Sequence, residues 1–241
     1  MIWLKTRITL IKGVFYLNRY ARNIGTISLE ENEILKKSKV CVVGCGGLGG
    51  YIIEMLARMG LGEITVVDND VFDETNLNRQ TLADEKNIGQ KKAFIAKLKM
   101  EKINSGVKIN AIVEFLDRSN AEKILKNHNV IVDALDNIPS RFVLQDACSL
   151  LDIPMVHGAI GGWYGQVSTI YPEDKTLNKI YSKEDFVGIE KELGNPSFTP
   201  ALISSIQVSE VVKILIGRGD LLRNKLLYID LLNVDFELLE L

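Results

Sequence analysis

Four glycines near position 46 and an aspartate at position 68 are the residues of this chain best suited to hold a phosphate group. Gly44, Gly46, Gly47 and Gly49 lie between a short β-branched run and a stretch with helical spacing of apolar residues. In this order a glycine turn lets the backbone approach a phosphate, and the helix that follows offers unpaired N–H groups. Asp68 closes the next apolar run, where a carboxylate accepts hydrogen bonds from ribose hydroxyls. These residues predict a nucleotide-binding turn.

A polar loop after Asp68 carries cations that suit a triphosphate. It contains Asn76 and Arg79, and it leads into a helix start with two adjacent lysines, Lys91 and Lys92. Positive side chains at the mouth of a phosphate-binding turn can stabilise the charge that develops when a phosphate bond breaks. Of the two lysines, Lys92 is the candidate, and Lys91 is interpreted as a solvated charge on the helix surface. The turn alone would also suit a nicotinamide or flavin oxidoreductase, but that class leaves Arg79 and Lys92 without a role.

Strands and helices alternate through the first two thirds of the sequence. Five predicted strands cover residues 39–43, 63–68, 107–115, 129–135 and 153–159. Predicted helices between them cover residues 50–59, 90–104, 121–126 and 139–151. This alternation is typical of an α/β fold with a doubly wound, Rossmann-like, mostly parallel sheet, whose ligands bind beyond the carboxyl ends of the strands. Gly46, Asp68 and Asp136 all follow such strand ends.

The last third predicts antiparallel strands around one long helix. Strand patterns occupy residues 165–171, 226–230 and 233–239, and the helix occupies residues 199–216. The connection at residues 172–198 is polar with little periodicity, and loops of that length are commonly functional, with an ordinary surface loop as the alternative. The chain, residues 1–241, is predicted to be one domain. Residues 1–17 are expected to be an extra N-terminal segment, either an added strand or the result of a start codon placed too early.

Several short motifs in sequence order resemble those of the ThiF/MoeB/HesA family, the bacterial relatives of ubiquitin-activating enzymes. They are V-V-G-C-G-G-L-G-G, V-D-N-D, N-L-N-R-Q, G-Q-K-K-A and V-D-A-L-D-N. The resemblance extends from Arg19 to about Phe236. It implies a ThiF/MoeB-like adenylation domain that uses ATP and magnesium, joins AMP to a carboxylate and releases pyrophosphate.

The resemblance also implies roles for individual side chains. Asp136, the second aspartate of D-x-x-D-N, would hold magnesium against the phosphates, and a helix N-cap is the alternative for this residue. Arg79 and Lys92 would stabilise the leaving pyrophosphate, and Asn76 would contact phosphate or ribose. Arg22, in the segment R-Y-A-R-N, would reach the nucleotide of the neighbouring subunit, so that each site is complete only in a homodimer.

Three other polar residues near the predicted site are interpreted as structural. Arg141 matches a recurrent family arginine that braces the loop after the fourth strand. His157 follows the fifth strand's apolar run and has no nucleophile signature around it, which favours a hydrogen-bonded structural histidine. Asp133 is interpreted as a supporting residue and not as a magnesium ligand.

Three cysteines without a C-x-x-C pair favour neither a disulfide framework nor a zinc site. Many family members carry two such pairs that hold zinc, so the chain resembles a zinc-free branch. Members that form a thioester place a cysteine in or near the crossover loop, under which the partner's C-terminal tail is threaded and to which residues 172–198 correspond. Cys41, Cys45 and Cys148 lie elsewhere, in contexts typical of small buried residues. The expected chemistry is adenylation alone, followed by an external sulfur donor.

Composition and charge are those of an ordinary globular protein. The chain has 241 residues, of which 46% are hydrophobic and 25% charged, and its formal net charge is -2. That charge gives no field that would gather nucleic acid. The only apolar stretch near the N-terminus, residues 8–17, is too short to span a bilayer. The chain is therefore expected in the cytoplasm, without a membrane or nucleic-acid partner.

The family resemblance implies ATP-dependent adenylation of the C-terminal Gly-Gly carboxylate of a small ubiquitin-like sulfur-carrier protein, in thiamine or molybdopterin-type cofactor biosynthesis. Adenylation of a small-molecule or tRNA-borne carboxylate is an alternative, because the N-L-N-R-Q segment fits both. An oxidoreductase that binds NAD or FAD is a second class, and a non-catalytic scaffold that keeps the nucleotide fold is a third.

Overall fold

The computed structural model describes residues 18–182 and 190–241, which form an eight-stranded sheet with helices on both faces. The strands are β1 Lys39–Val43, β2 Glu63–Val67, β3 Lys108–Ile112, β4 Val130–Asp133, β5 Met155–Gly161, β6 Tyr164–Ile170, β7 Lys225–Asp230 and β8 Asp235–Glu240. Their order in the sheet is β3-β2-β1-β4-β5-β6-β7-β8. The five strands from β3 to β5 are parallel, and β6, β7 and β8 continue the sheet in antiparallel pairs.

The helices of the described residues are α1 Leu29–Lys37, α2 Gly47–Met59, α3 Lys92–Ile103, α4 Ala121–Leu125, α5 Ile138–Leu151, α6 Leu177–Ile180, α7 Glu190–Leu193 and α8 Phe198–Ile216, with short 3-10 turns at Asn18–Tyr20 and Glu74–Asn76. Local sequence sets several of their ends. Ser28 and Glu31 form a capping box at the start of α1. Gly60 and Gly217, with φ of 84° and 64°, end α2 and α8 in the left-handed conformation that glycine adopts without strain.

Two apolar layers cover the two faces of the parallel strands. In β1, Val40 and Val42 join the layer formed with α1, α2, α3 and α8, while Cys41 and Val43 join the layer formed with α4 and α5. All four side chains are buried. A strand that is buried on both faces has no polar alternation, which explains the continuous apolar runs in the sequence.

The observed architecture confirms the predicted α/β class, with a mostly parallel Rossmann-like sheet and antiparallel strands toward the C-terminus. The periodicity of apolar residues did not indicate α1, because only two residues of this helix, Asn32 and Leu35, are buried. Residues 172–198 contain the short helices α6 and α7, where the sequence predicted an irregular connection. The predicted extra segment 1–17 and residues 183–189 of the connection lie outside the described residues.

The helix α8 is the one described helix with the length and apolar content of a membrane span. Half of the residues in this span are buried, and the helix packs against α2 and against β4, β5 and β6. A helix packed between a sheet and another helix must be apolar over much of its circumference. Burial in the domain core therefore accounts for the composition of α8.

The strand order reverses between β1 and β4. From β1 the chain first adds β2 and β3 on one side of the sheet, and it then crosses to add β4 and β5 on the other side. The connections from β1 and from β4 consequently leave the sheet in opposite directions. In a doubly wound sheet this arrangement opens a crevice at the carboxyl ends of the two strands, where ligands bind.

Candidate functional site

A cleft of about 400 Å³ opens at the crevice between the ends of β1 and β4. Its walls come from the segments that follow β1, β2, β3 and β4, together with residues from the loop before α3. The predicted site residues that line the cleft are Gly44, Gly46, Gly47, Asp68, Arg79, Lys92 and Asp136. The fold thus brings together residues that are up to 92 positions apart in the chain.

At two positions of the glycine turn, neighbouring backbone atoms leave no room for a side chain. Gly44 has φ of +101°, and a Cβ placed on it would lie 2.4 Å from the carbonyl oxygen of Ala134. A Cβ on Gly49 would lie 1.9 Å from the carbonyl oxygen of Gly44. Gly49 lies behind the cleft, and its missing side chain lets the first turn of α2 pack closely against the strand end.

The start of α2 points its N–H groups toward the cleft. Gly46 is the N-cap, and because it has no side chain, it offers no cap acceptor to the first N–H groups of α2. A Cβ placed on Gly46 would have Gln80 Nε2 as its nearest neighbour, at 3.7 Å, so the turn is not packed as closely here as at Gly44. The first N–H groups of a helix have no acceptor within the helix, and the positive end of the helix dipole attracts anions. This end of α2 is suited to a phosphate.

The carboxylate of Asp68 ties the end of β2 to the glycine turn. Its Oδ2 accepts a hydrogen bond of 2.7 Å from the backbone N–H of Cys45, and its Oδ1 accepts one of 2.8 Å from that of Asp70. Burial raises the pKa of Asp68, and these two N–H donors and the nearby Lys92 act in the opposite direction. Each carboxylate oxygen can accept a further hydrogen bond, so the group can still receive a ribose hydroxyl.

The two adjacent lysines have different surroundings. Lys92 is buried, with 7% of its surface exposed, and its Nζ lies 3.2 Å from Oδ2 of Asp70 in the cleft. Lys91 is exposed and donates a hydrogen bond of 2.6 Å to the carbonyl oxygen of Asn69. Lys92 begins α3 and Lys91 precedes it, so the helix start directs the two side chains differently. Of the two, only Lys92 lines the cleft.

Arg79 supplies a further cation to the cleft, which Arg141 also lines. Its NH1 donates to the carbonyl oxygen of Thr75 at 3.0 Å and to Oδ1 of Asn78 at 2.9 Å. Its Cδ lies 3.9 Å from a Cβ placed on Gly47, at the first turn of α2. The guanidinium has five donors in all, so these two bonds orient it while leaving donors for a ligand.

Asp136 presents an exposed carboxylate to the cleft. Its Oδ1 accepts a long hydrogen bond, 3.5 Å, from Nδ2 of Asn137. The alternative role of Asp136 as the helix N-cap is wrong. Asn137 is the N-cap of α5, because its Oδ1 accepts a hydrogen bond of 3.0 Å from the backbone N–H of Ser140.

The donor set of the cleft suits a magnesium ion that is held mainly by a nucleotide. In residues 18–182 and 190–241, no group of three or more His, Cys, Asp or Glu side chains could hold a metal by itself. Magnesium keeps several waters and takes one or two carboxylates together with substrate phosphates. Asp136 can supply one carboxylate beside a phosphate-binding turn, so the residues present fit this mode of binding.

Besides Gly49, two predicted site residues do not line the cleft of their own chain. Asn76 is buried, and its Oδ1 accepts a hydrogen bond of 3.2 Å from the backbone N–H of Asp73, which caps the short 3-10 turn. In this arrangement Asn76 supports the loop that carries Arg79. Arg22 is exposed and follows the first 3-10 turn, at the surface of the domain.

Several residues of the cleft were not predicted from the sequence. Gln80 is buried beside Gly46, and the side chain of Asn78 donates a hydrogen bond of 3.0 Å to the carbonyl oxygen of Asn195. Phe115 follows β3 and, with Leu116, adds an apolar wall. The signal for Phe115 was available, because the parallel-strand rule places residues after β3 at the same sheet edge. The contact with Asn195 joins residues 117 apart and has no local signature.

A buried polar network lies next to the cleft. Asp133 and His157 are both fully buried, and His157 Nδ1 lies 2.7 Å from Oδ2 of Asp133. Burial lowers the pKa of His157, and Asp133 opposes this effect. The hydroxyl of Tyr181 and Nε2 of Gln166 each lie 3.2 Å from His157 Nε2. This geometry agrees with a hydrogen-bonded structural histidine.

All three cysteines are free and buried. Burial raises the pKa of each thiol, and Asp68 raises that of Cys45 further. A thiol with a raised pKa holds little of the thiolate that acts as a nucleophile. Cys41, Cys45 and Cys148 therefore serve as small core residues.

Comparison with known proteins gives relatives of similar length. The chain is 34% identical over 235 residues to the SAMP-activating enzyme E1 of Haloferax volcanii, a match that covers 95% of this chain and 87% of that protein. It is also 34% identical over 231 residues to the sulfur carrier protein adenylyltransferase of Thermus thermophilus, covering 91% of this chain and 85% of the relative.

Solved structures share the fold at lower identity. The crystal structures of PaaA and of E. coli MccB match with TM-scores of 0.81 and 0.79, each at 22% identity. The matches cover 98% and 92% of this chain, and 77% and 69% of those chains. Fold and cleft together define a Rossmann-like α/β protein with a phosphate-binding turn. The ThiF family model matches residues 20–241, and the chain belongs to the ThiF family.

Proposed function

We propose that this protein is an ATP-dependent adenylyltransferase that activates the C-terminal carboxylate of a small ubiquitin-like sulfur-carrier protein. The observation that carries the proposal is that a single cleft contains a phosphate-binding turn, the cations Arg79 and Lys92 among others, and the exposed carboxylate of Asp136. The names of the relatives from H. volcanii and T. thermophilus describe activation of SAMP and adenylation of a sulfur carrier, which supports this substrate class.

Different cleft residues bind the nucleotide and stabilise the leaving group. A carboxylate oxygen of the carrier attacks the α-phosphorus of ATP, the bond to the β-phosphate oxygen breaks, and pyrophosphate leaves. The N–H groups at the start of α2 bind phosphate oxygens, and Asp68 accepts hydrogen bonds from the ribose. Arg79 and Lys92 stabilise the negative charge on the leaving pyrophosphate. No general base is needed, because a carboxylate is already ionised at neutral pH.

Asp136 would hold magnesium beside the phosphates. When bound, the ion neutralises charge on the phosphate oxygens and orients them. The exposed position of the Asp136 carboxylate leaves it available for this role, since the N-cap role belongs to Asn137. Magnesium is therefore part of the proposal, and a structural zinc is not. Metal analysis of the purified protein tests the absence of zinc.

We include a homodimer in the proposal because Arg22 lies far from the cleft of its own chain. The helix α2 begins at the cleft and has 13 residues, so it spans about 20 Å. At its far end, a Cβ placed on Gly60 would lie 2.4 Å from the ring of Tyr20. The backbone N–H of Asn23 donates a hydrogen bond of 2.9 Å to the carbonyl oxygen of Tyr20, and this turn keeps Arg22 beside Tyr20. Because Arg22 does not line the cleft of its own chain, its proposed contact is with a nucleotide in the cleft of another subunit.

The carrier would present an extended Gly-Gly tail to the cleft. Residues 172–198 correspond to the crossover loop, and Asn195 from the end of this segment lines the cleft. The three cysteines are buried and lie outside this segment. The proposed product is therefore an acyl-adenylate that an external sulfur donor attacks, in thiamine or molybdopterin-type cofactor biosynthesis. The proposal places the reaction in the cytoplasm, without a membrane or nucleic-acid partner.

ATP–pyrophosphate exchange by the purified protein tests the proposal. The assay is run with and without candidate carriers that end in Gly-Gly, and with a carrier whose last glycine is deleted as control. Exchange that depends on one intact carrier supports the proposal. Exchange that needs no carrier, or that requires a small molecule or a tRNA, contradicts it. Tight binding of NAD without binding of ATP would indicate an oxidoreductase instead.

A further inference from the structure

We propose that Tyr181 is a positioning residue that fixes the Asp136 carboxylate through Arg141 and the peptide groups of Leu135. The inference rests on the proposed magnesium role of Asp136 and extends it. Tyr181 follows α6, within the segment that corresponds to the crossover loop. The proposal therefore connects that segment to Asp136, the carboxylate proposed to hold magnesium.

The first part of the argument is how the chain is held just before Asp136. The backbone N–H of Leu135 donates a hydrogen bond of 3.0 Å to Oδ1 of Asp133, and the carbonyl oxygen of Leu135 accepts one of 2.7 Å from NH2 of Arg141. Immediately after Asp136, Asn137 caps α5. Asp136 is thus held between two anchored residues, and the direction of its side chain depends on them.

The second part is that Arg141 is oriented by Tyr181. NH1 of Arg141 donates a hydrogen bond of 2.8 Å to the Tyr181 hydroxyl oxygen, and its guanidinium carbon lies 5.5 Å from the centre of the Tyr181 ring. Gln166 Nε2 donates to the same oxygen at 2.7 Å. With two donors on its oxygen, the Tyr181 O–H is directed to His157 Nε2, 3.2 Å away.

These contacts form a closed ring of interactions. From Tyr181 the ring runs to His157, then to Asp133 at 2.7 Å, then through Leu135 to Arg141, and back to Tyr181. Arg141 also lies 3.7 Å from Oδ2 of Asp133. Buried hydrogen-bond networks strengthen one another and fix a single geometry, so loss of one member loosens the others. Tyr181 is the member of this ring that comes from the segment after β6.

The test compares Tyr181→Phe with wild type. The variant keeps the ring but removes the hydroxyl that accepts from Arg141 and donates to His157. The first measurement is calorimetric binding of a non-hydrolysable ATP analogue, titrated at several magnesium concentrations and without any carrier. Loss of the hydrogen bonds should raise the magnesium concentration needed for half of the maximal affinity by roughly tenfold. Affinity without magnesium should stay within about twofold of wild type, because the phosphate-binding turn is unchanged.

Thr169→Val is the matched control for simple loss of stability. Thr169 is buried and donates a hydrogen bond of 2.5 Å to Glu210, away from the cleft. This variant also loses one buried hydroxyl, and it should lower the melting temperature without changing the magnesium requirement. If Tyr181→Phe behaves like Thr169→Val, with lower stability and an unchanged magnesium requirement, the positioning role is refuted.

Asp136→Asn separates failure of this inference from failure of the proposed function. If Asp136 holds magnesium, Asp136→Asn raises the magnesium requirement, and adding Tyr181→Phe to it produces no further increase. If Asp136→Asn has no effect on that requirement, the magnesium role of Asp136 is wrong and the inference falls with it. If Asp136→Asn has the effect and Tyr181→Phe still adds its full tenfold change, Tyr181 acts elsewhere and the inference alone is wrong.

Discussion

Replacement of Lys92 by methionine should remove most of the activity with little loss of stability. The ammonium group lies in the cleft, 3.2 Å from Asp70, and the rest of the side chain is buried at the start of α3. Methionine keeps an apolar stem of similar length, so packing is largely preserved. The lost ion pair involves the well-exposed carboxylate of Asp70, and such pairs contribute about 1 kcal/mol or less.

The catalytic loss follows from the charge that develops on pyrophosphate. Two unit charges about 4 Å apart interact with about 4 kcal/mol at an effective dielectric of about 20. Part of that attraction is already present in bound ATP and does not accelerate the reaction. Removal of one charge-stabilising donor costs about 3–4 kcal/mol in measured cases, or roughly 100- to 1000-fold in kcat. We expect Lys92→Met to lower the rate of carrier-dependent pyrophosphate exchange by this factor.

Lys91→Met provides the matched control, because it removes the same charge one residue away. Lys91 is exposed, does not line the cleft, and its ammonium group bonds to the backbone carbonyl of Asn69, so exchange should stay within about twofold of wild type. Both variants are compared by exchange rate and by thermal unfolding. Equal losses in the two variants, or more than a tenth of wild-type activity in Lys92→Met, would show that Lys92 does not stabilise the leaving group.

Three further perturbations test other parts of the structure. Gly49→Ala places a Cβ 1.9 Å from a carbonyl oxygen and should lower Tm by roughly 6–12 °C, whereas Gly46→Ala should weaken ATP binding with a much smaller change in Tm. Mixtures of Arg22→Ala and Asp136→Ala chains should recover up to about a quarter of wild-type exchange through hybrid dimers with one intact cleft, and no recovery in verified hybrids would refute the role of Arg22 in trans. Burial lowers the pKa of His157, so as the pH falls the imidazole is protonated in the unfolded chain before it is protonated in the folded chain. The free energy of unfolding should therefore fall as the pH drops below about 6.5. Urea unfolding between pH 7 and 5 checks this, and His157→Gln should reduce the slope but not abolish it, because burial also lowers the pKa of the second histidine.

The sheet and the backbone of the site could be predicted because they depend on local patterns. Apolar runs such as Val40–Val43 identify buried parallel strands, and the ends of such strands meet at one edge of the sheet. This rule alone is enough to bring Gly46, Asp68 and Asp136 together. The same local information placed Lys92 at a helix start near the cleft.

The remaining features depend on side-chain contacts between distant segments. Asn76 matches a motif position but bonds to its own loop, because a short amide can satisfy nearby backbone groups. Helix α5 begins one residue later than the alternative role of Asp136 required, so Asn137 is the N-cap. The ring that joins Tyr181 to Asp133 connects residues from four parts of the chain, and no sequence pattern predicts these contacts.

The strand β8 forms one edge of the sheet, and all six of its residues are exposed. Such an edge has unpaired backbone groups and could recruit a strand from another molecule. Asp235, Glu237 and Glu240 lie along it, among apolar side chains such as Phe236 and Leu238. Repulsion between the acidic groups of two copies opposes that pairing, and salt screens the repulsion. Self-association of the protein through β8 should therefore increase with ionic strength. This effect is independent of the reaction at the cleft.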